Sequence, residues 1–176
     1  MSIPNLITIG RILLVPAVVW AIFAQELHLA FVLFVIAGVS DAVDGFLAKR
    51  FGMATELGAY LDPLADKALL VSIYLTLAIQ GNIPLWIAIL VVSRDIMIVG
   101  AIVLSGVLEN PVTIRPLLVS KLNTAAQIIF AALVLGSLGF NLSLEPVVAA
   151  AMYITAALTA VSAGAYLAEW TRHMAS

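Results

Sequence analysis

The chain has 176 residues, 64% of them hydrophobic and only 10% charged, whereas a soluble domain carries roughly 45–50% apolar and about 25% charged residues. So little polar surface excludes a disordered chain, a coiled coil and an ordinary water-soluble enzyme. The net charge of -2 argues against a nucleic-acid partner, because no basic stripe exists to displace counterions.

A membrane span needs about 20 mostly apolar residues, and six candidates follow one another along the chain. The first runs from Pro4 to Ala24. No convincing cleavage site follows it, so it reads as a retained helix and not a signal peptide. The others run approximately from Leu27 to Lys49, Thr55 to Gln80, Ile83 to Ser105, Lys121 to Phe140 and Glu145 to Glu169. Turns are expected at Gly81-Asn82 and near Gly139–Asn141. Asn110-Pro111 breaks the chain after the fourth span, which makes 106–119 a loop. The apolar runs are long and do not alternate, so strands are not expected. No linker divides the chain, and the expectation is one all-α integral membrane domain over residues 1–176.

Orientation follows from the basic residues. Lys49 and Arg50 follow the second span, Arg115 and Lys121 lie between the fourth and fifth, and Arg172 follows the sixth. The opposite connections hold no Lys or Arg; they carry Glu26, His28, Asn82 and Glu145. Both termini then fall on the cytoplasmic side. Arg11, Asp41, Asp44, Asp62, Asp66, Lys67, Arg94, Asp95 and Lys121 all lie toward that side. Ionisable groups at such depth are costly, so this clustering implies six transmembrane helices around a polar cavity open to the cytoplasm.

Four aspartates stand out within that set. Asp41 and Asp44 are spaced i, i+3; Asp62 and Asp66 are spaced i, i+4. On a helix each pair shares one face. A short loop joins the two helices, so the four carboxylates can face one another. They cannot share a dry site without compensating charge. Oxygen-only ligands suit Mg²⁺, Mn²⁺ or Ca²⁺ and not zinc, and two such ions can clamp a pyrophosphate. The absence of cysteine leaves no thiolate metal site, disulfide or cysteine nucleophile. Gly45, and Gly58 on the facing helix, allow a ligand close approach. A proton or cation pathway would use the same acids, but it would also need ionisable groups in the outer half of the spans, where none is found. A non-catalytic membrane scaffold is a third reading.

The segment Asp41-Ala-Val-Asp44-Gly45-Phe-Leu-Ala48-Lys49, then eight residues, then Gly58-Ala-Tyr-Leu-Asp62-Pro-Leu-Ala-Asp66, closely resembles the signature of the CDP-alcohol phosphotransferase family. One position departs: the family has Arg where this chain has Lys49, which keeps the charge but loses the planar fork. The opening Pro4-Asn5-Leu-Ile-Thr8-Ile-Gly-Arg11 is similar to another segment of that family. The resemblance implies that Asp41, Asp44 and Asp62 hold two divalent cations, Mg²⁺ or Mn²⁺, on a CDP pyrophosphate. It implies that Asp66 also touches metal and is the general base. Asn5, Thr8, Arg11, Gly45, Ala48, Lys49 and Gly58 would surround the nucleotide. The implied donor is CDP-diacylglycerol, the implied location a bacterial inner membrane with a cytoplasmic active site, and the family is commonly homodimeric.

For the acceptor, Val92-Ser93-Arg94-Asp95 resembles a segment shared by the phosphatidylglycerophosphate and eukaryotic-type cardiolipin synthases of this family. Arg94 would hold a phosphate, or pair locally with Asp95, or both. Ser120-Lys121-Leu122-Asn123-Thr124-Ala-Ala-Gln127, preceded by Arg115 and Pro116, has Asn123 where glycerophosphate-using members carry a second Lys. It is more similar to the cardiolipin-forming subgroup, as is the closing Ala157-to-Tyr166 segment. A dianionic glycerol 3-phosphate benefits from two lysines; a monoanionic phosphatidylglycerol is served by one Lys and Arg94. The acceptor expected from Arg94, Arg115, Lys121, Asn123 and Thr124 is therefore phosphatidylglycerol, with glycerol 3-phosphate as the alternative. His28 and His173 have no expected ligand role. Trp20, Trp86, Trp170 and Tyr153 read as interfacial anchors.

Overall fold

A computed structural model of the chain describes residues 3–51, 56–107 and 118–174, with side chains over 7–43, 65–100 and 118–172. The described residues form six α-helices and no strand: α1 (Ile3–Phe23), α2 (Leu27–Phe51), α3 (Glu56–Ile79), α4 (Leu85–Val107), α5 (Leu118–Gly139) and α6 (Glu145–Met174). Each coincides with an apolar run expected from the sequence. The largest difference lies in α6, which continues past Glu169 to Met174. Most of the expected loop at 106–119, including Arg115, lies outside the described residues.

Two helices, Leu118–Gly139 and Glu145–Arg172, are long and apolar enough to cross a membrane, and Ile7–Phe23 and Leu27–Val43 are shorter apolar helices. Large apolar side chains such as Leu13, Trp20, Ile79, Ile96 and Tyr153 are exposed, as a lipid-facing surface requires and a water-facing one does not.

The helices fall into two compact units. The first holds α1, α2, α3 and the end of α5; the second holds α4, the first part of α5 and α6. In the first unit α1 packs on both α2 and α3. Its buried face is Thr8, Arg11, Val18 and Ile22, a helical spacing. On α2 the buried positions Ala30, Phe34 and Ala37 step by four and three residues, and Asp41 is the next step. On α3 Leu77, Ile73 and Leu70 lead back by the same steps to Asp66. Both aspartates therefore lie on the packed stripe of their helix, one turn beyond its apolar part.

Three connections close by the same device. Glu26 N–H bonds Ala21 O (2.9 Å) and Gln25 N–H bonds Ile22 O (3.1 Å). Asn82 and Gly81 bond Leu77 and Ala78 in the same way, as Leu142 and Asn141 bond Ser137 and Leu138. These paired bonds cap the last carbonyls of a helix through a left-handed residue, here Gln25 (φ 62°), Gly81 (φ 76°) and Asn141 (φ 53°). In the first unit α5 also passes close to the start of α2. A Cβ on Gly139 would lie 2.8 Å from His28 N and 2.9 Å from His28 Cα. The His28 ring stands edge-on to Phe140 at 4.7 Å, a packing role.

In the second unit α4 packs on α6, and Trp86 stacks on Tyr153 at 6.4 Å. The α5–α6 contact is polar. Thr155 Oγ1 donates to Ala126 O (3.3 Å), and Thr159 Oγ1 lies 2.8 Å from Asn123 Oδ1 and 2.7 Å from Thr155 O. Such interhelical hydrogen bonds hold apolar helices together where no hydrophobic drive between them exists.

Candidate active site

The sequence singles out carboxylates on α2 and α3, and the structure brings Asp41 and Asp66 to one point. Arg11 Nη1 lies 2.8 Å from Asp41 Oδ1 and 2.6 Å from Asp66 Oδ1. The guanidinium is 1% exposed while the two carboxylates are 47% and 43% exposed. One buried cation on α1 thus ties the polar ends of α2 and α3, and the carboxylates look outward from it. A buried charge is tolerated only when paired in this way. Arg11 Nε and Nη2 are buried with no hydrogen-bond partner among the described residues. Thr8, one turn before Arg11, is buried on the same face.

Two hard oxygen donors from different helices, close enough to share one positive centre, fit a divalent cation of the Mg²⁺ or Mn²⁺ type. Among the described residues no group of three acidic or histidine side chains forms a complete ligand set. The helices carrying Asn5, Asp44, Gly45, Ala48, Lys49, Gly58 and Asp62 are described, but these residues lie outside the described side chains.

The second unit holds the other polar group. Arg94 is 4% exposed and its partners span three helices. Nη1 donates to Asp95 Oδ1 (2.6 Å), Nη2 to Ser120 Oγ (2.6 Å) and Ser162 Oγ (2.8 Å), and Nε to Ser162 Oγ (3.3 Å). Its Cζ also lies 5.6 Å from the centre of the Tyr166 ring, within cation–π range. The local Arg94–Asp95 pair allowed by the sequence is present. Ser120, Ser162 and Tyr166 were not expected as partners of Arg94. The available signal was the α6 spacing of Thr155, Thr159, Ser162 and Tyr166, steps of four, three and four in an uncharged stretch.

Of the expected acceptor residues, Lys121 is exposed. Thr124 Oγ1 bonds the Ser120 carbonyl of its own helix at 3.2 Å. Asn123 is fully buried against Thr159, and its Nδ2 has no partner among the described residues.

A family model for CDP-alcohol phosphatidyltransferase matches residues 1–161, and the chain belongs to that family. It is 34% identical to the CDP-diacylglycerol–glycerol-3-phosphate 3-phosphatidyltransferase of Bacillus subtilis, over 96% of this chain and 94% of the relative. It is 33% identical to the human cardiolipin synthase (CMP-forming), over 94% of this chain and 60% of the relative. It is 32% identical to the probable cardiolipin synthase (CMP-forming) of Drosophila melanogaster, over 95% of this chain and 57% of the relative. The chain thus spans about three-fifths of the length of these cardiolipin synthases.

Proposed function

We propose that this protein is a divalent-cation-dependent phosphatidyltransferase. It moves the phosphatidyl group of CDP-diacylglycerol to an alcohol and releases CMP. The observation that carries this reading is the meeting of Asp41 and Asp66, from two helices, at one positive centre. It is supported by family membership and by relatives whose names describe CMP-forming and CDP-diacylglycerol-dependent transfer.

In this reading the acceptor hydroxyl loses its proton to the Asp66 carboxylate as its oxygen bonds to the phosphatidyl phosphorus. The bridging P–O bond of the pyrophosphate breaks, and CMP leaves with that oxygen. Asp41, Asp44, Asp62 and Asp66 would hold two Mg²⁺ or Mn²⁺ ions. Bound there, such ions neutralise the pyrophosphate and stabilise charge on the attacking and leaving oxygens. Asn5, Thr8, Arg11, Gly45, Ala48, Lys49 and Gly58 line the nucleotide's place. Arg94, with Arg115, Lys121, Asn123 and Thr124, serves the acceptor. Its packing through Asp95, Ser120 and Ser162 fixes the guanidinium before an acceptor phosphate arrives, which lowers the entropy cost of binding.

Phosphatidylglycerol is the proposed acceptor, giving cardiolipin. A second reading, glycerol 3-phosphate giving phosphatidylglycerophosphate, is favoured by the near full-length match to the Bacillus subtilis relative. The proposed setting is six membrane spans with both termini and the polar cavity on the cytoplasmic side of a bacterial inner membrane, as a homodimer.

The test is purified protein in lipid nanodiscs with Mn²⁺ or Mg²⁺, CDP-diacylglycerol and one acceptor at a time. CMP release and a cardiolipin product are expected with phosphatidylglycerol, and EDTA should abolish both. Product with glycerol 3-phosphate alone overturns the acceptor assignment. Turnover that survives EDTA overturns the metal assignment.

A further inference from the structure

The contact of α5 with α6 is a ladder of polar pairs. Ser120 on α5 meets Ser162 on α6 through Arg94, whose Nη2 lies 2.6 Å from one hydroxyl and 2.8 Å from the other. One turn along, Asn123 Oδ1 lies 2.8 Å from Thr159 Oγ1. One turn further, Thr155 Oγ1 donates to Ala126 O at 3.3 Å. The rungs step by three residues on α5 and by three and four on α6, the spacing that keeps each set on one helix face. We propose that the Asn123–Thr159 rung is a register pin for Arg94. Asn123 is thereby a positioning residue, which serves the acceptor through α6 and the guanidinium and not by touching it. The inference rests on the reading that Arg94 holds the acceptor.

The argument is one of alignment. Two apolar helices in a bilayer gain no hydrophobic preference for one register over another, since lipid is as apolar as a neighbouring side chain. A slip of one residue moves a helix about 1.5 Å along its axis. That breaks a hydrogen bond, which weakens steeply away from its ideal geometry. Ser120 and Ser162 therefore meet the same nitrogen only while α5 and α6 keep one alignment. Asn123–Thr159 joins those two helices directly, and it is shorter than the Thr155–Ala126 bond.

The rung also carries a cost, which points to a use. Asn123, Thr155, Thr159 and Ser162 are all 0% exposed. Thr159 has one hydroxyl proton and two acceptors in reach, Asn123 Oδ1 and, at 2.7 Å, the Thr155 carbonyl. Asn123 Nδ2 is buried with no hydrogen-bond partner among the described residues. Apolar side chains of the same shape would avoid that unmade bond. They would not supply direction: a buried polar pair specifies one alignment where apolar packing tolerates several.

The experiment measures CMP release by the full chain in mixed micelles with Mn²⁺. It varies CDP-diacylglycerol and, separately, whichever of phosphatidylglycerol and glycerol 3-phosphate supports turnover. Thr159→Val keeps the shape and loses the hydroxyl. It should raise the acceptor KM at least about fivefold, within the range that small misplacements span, and leave the CDP-diacylglycerol KM within about twofold. Thr159→Ser restores the hydroxyl and should return the acceptor KM to within about twofold of wild type. A rise in both KM values is general loosening and overturns the proposal. Asn123→Ala combined with Thr159→Val should lose no more than the worse single variant, because both act through one rung. Losses that multiply place Asn123 on the acceptor itself and overturn the proposal. Arg94→Lys keeps the charge but loses the fork, and should also raise the acceptor KM. If Arg94→Lys matches wild type, the acceptor reading of Arg94 fails, and the pin with it. If only Thr159→Val matches wild type, the pin alone is overturned. Should Thr159→Val not fold, Thr159→Cys replaces it, since a thiol is the weaker donor; an acceptor KM equal to wild type in that variant also overturns the pin.

Discussion

Arg11 and Asp66 stand 55 positions apart in the chain, yet they form a 2.6 Å ion pair. The spacing of Asp41, Asp44, Asp62 and Asp66 was readable as two carboxylate pairs on helix faces, because offsets of three and four fix a face without any tertiary knowledge. The partner of those carboxylates was not readable. Arg11 lies on another helix, and only packing of α1 between α2 and α3 decides what it meets. The same holds for Arg94, whose link to Ser162 crosses 68 positions. The role proposed for Asp66 makes a residue-level prediction. Asp66→Asn removes the proton acceptor but keeps the shape, so CMP release should fall at least about a hundredfold, the range general-base loss spans. CDP-diacylglycerol binding, read by equilibrium filtration, should change far less. A mutant that still releases CMP at the wild-type rate removes Asp66 as the base.

Among the helices, apolar length marked all six and their ends to within a few residues, since composition alone sets where an uncharged run starts and stops. The connections were read less evenly. Gly81 and the Gly139–Asn141 region carry turn residues, and left-handed residues are found at Gly81 and Asn141. Gln25, equally left-handed, carries no such signal; the α1–α2 corner forms there because the chain must reverse between two packed helices. Gly139 is needed for a different reason than the one its sequence context suggests. It ends α5 against the His28 backbone, and that backbone, unlike a flexible side chain, cannot give way. Gly139→Ala should therefore cost about 1–3 kcal/mol, the range for overpacking, measured as a lower midpoint of denaturant unfolding in mixed micelles. Gly164→Ala, inside α6 with open space around its Cβ position, is the control and should leave the midpoint unchanged or raise it, because alanine is the better helix former.

For the whole molecule, the proposed topology rests on the separation of basic from non-basic connections. The chain has no cysteine, so single cysteines can be introduced without background. Gln25→Cys and Asn82→Cys should react with a membrane-impermeant maleimide added outside intact cells. Lys49→Cys should react only after the cells are opened. The opposite pattern would invert the protein and move the aspartates to the other face of the membrane. Composition sufficed to raise the expectation of a membrane protein, because a 64% hydrophobic, 10% charged sequence offers little polar surface to water. It could not divide the helices into packing groups, because side chains that face lipid and side chains that face a neighbouring helix are equally apolar.

The three corners at Gln25, Gly81 and Asn141 are closed by paired main-chain bonds through a left-handed residue, and Ser137 Oγ adds a 2.8 Å bond to Leu142 O at the third. The exposed side chains of Gln25 and Asn141 take no part in those main-chain bonds, so what is constrained at the three positions is the handedness of the backbone. A lineage that introduced valine or isoleucine there would face a steric penalty that those residues rarely bear. Exchange of charge at Gln25 and Asn141 should accordingly be tolerated better than branching at the Cβ atom, and Gly81 should resist any side chain at all.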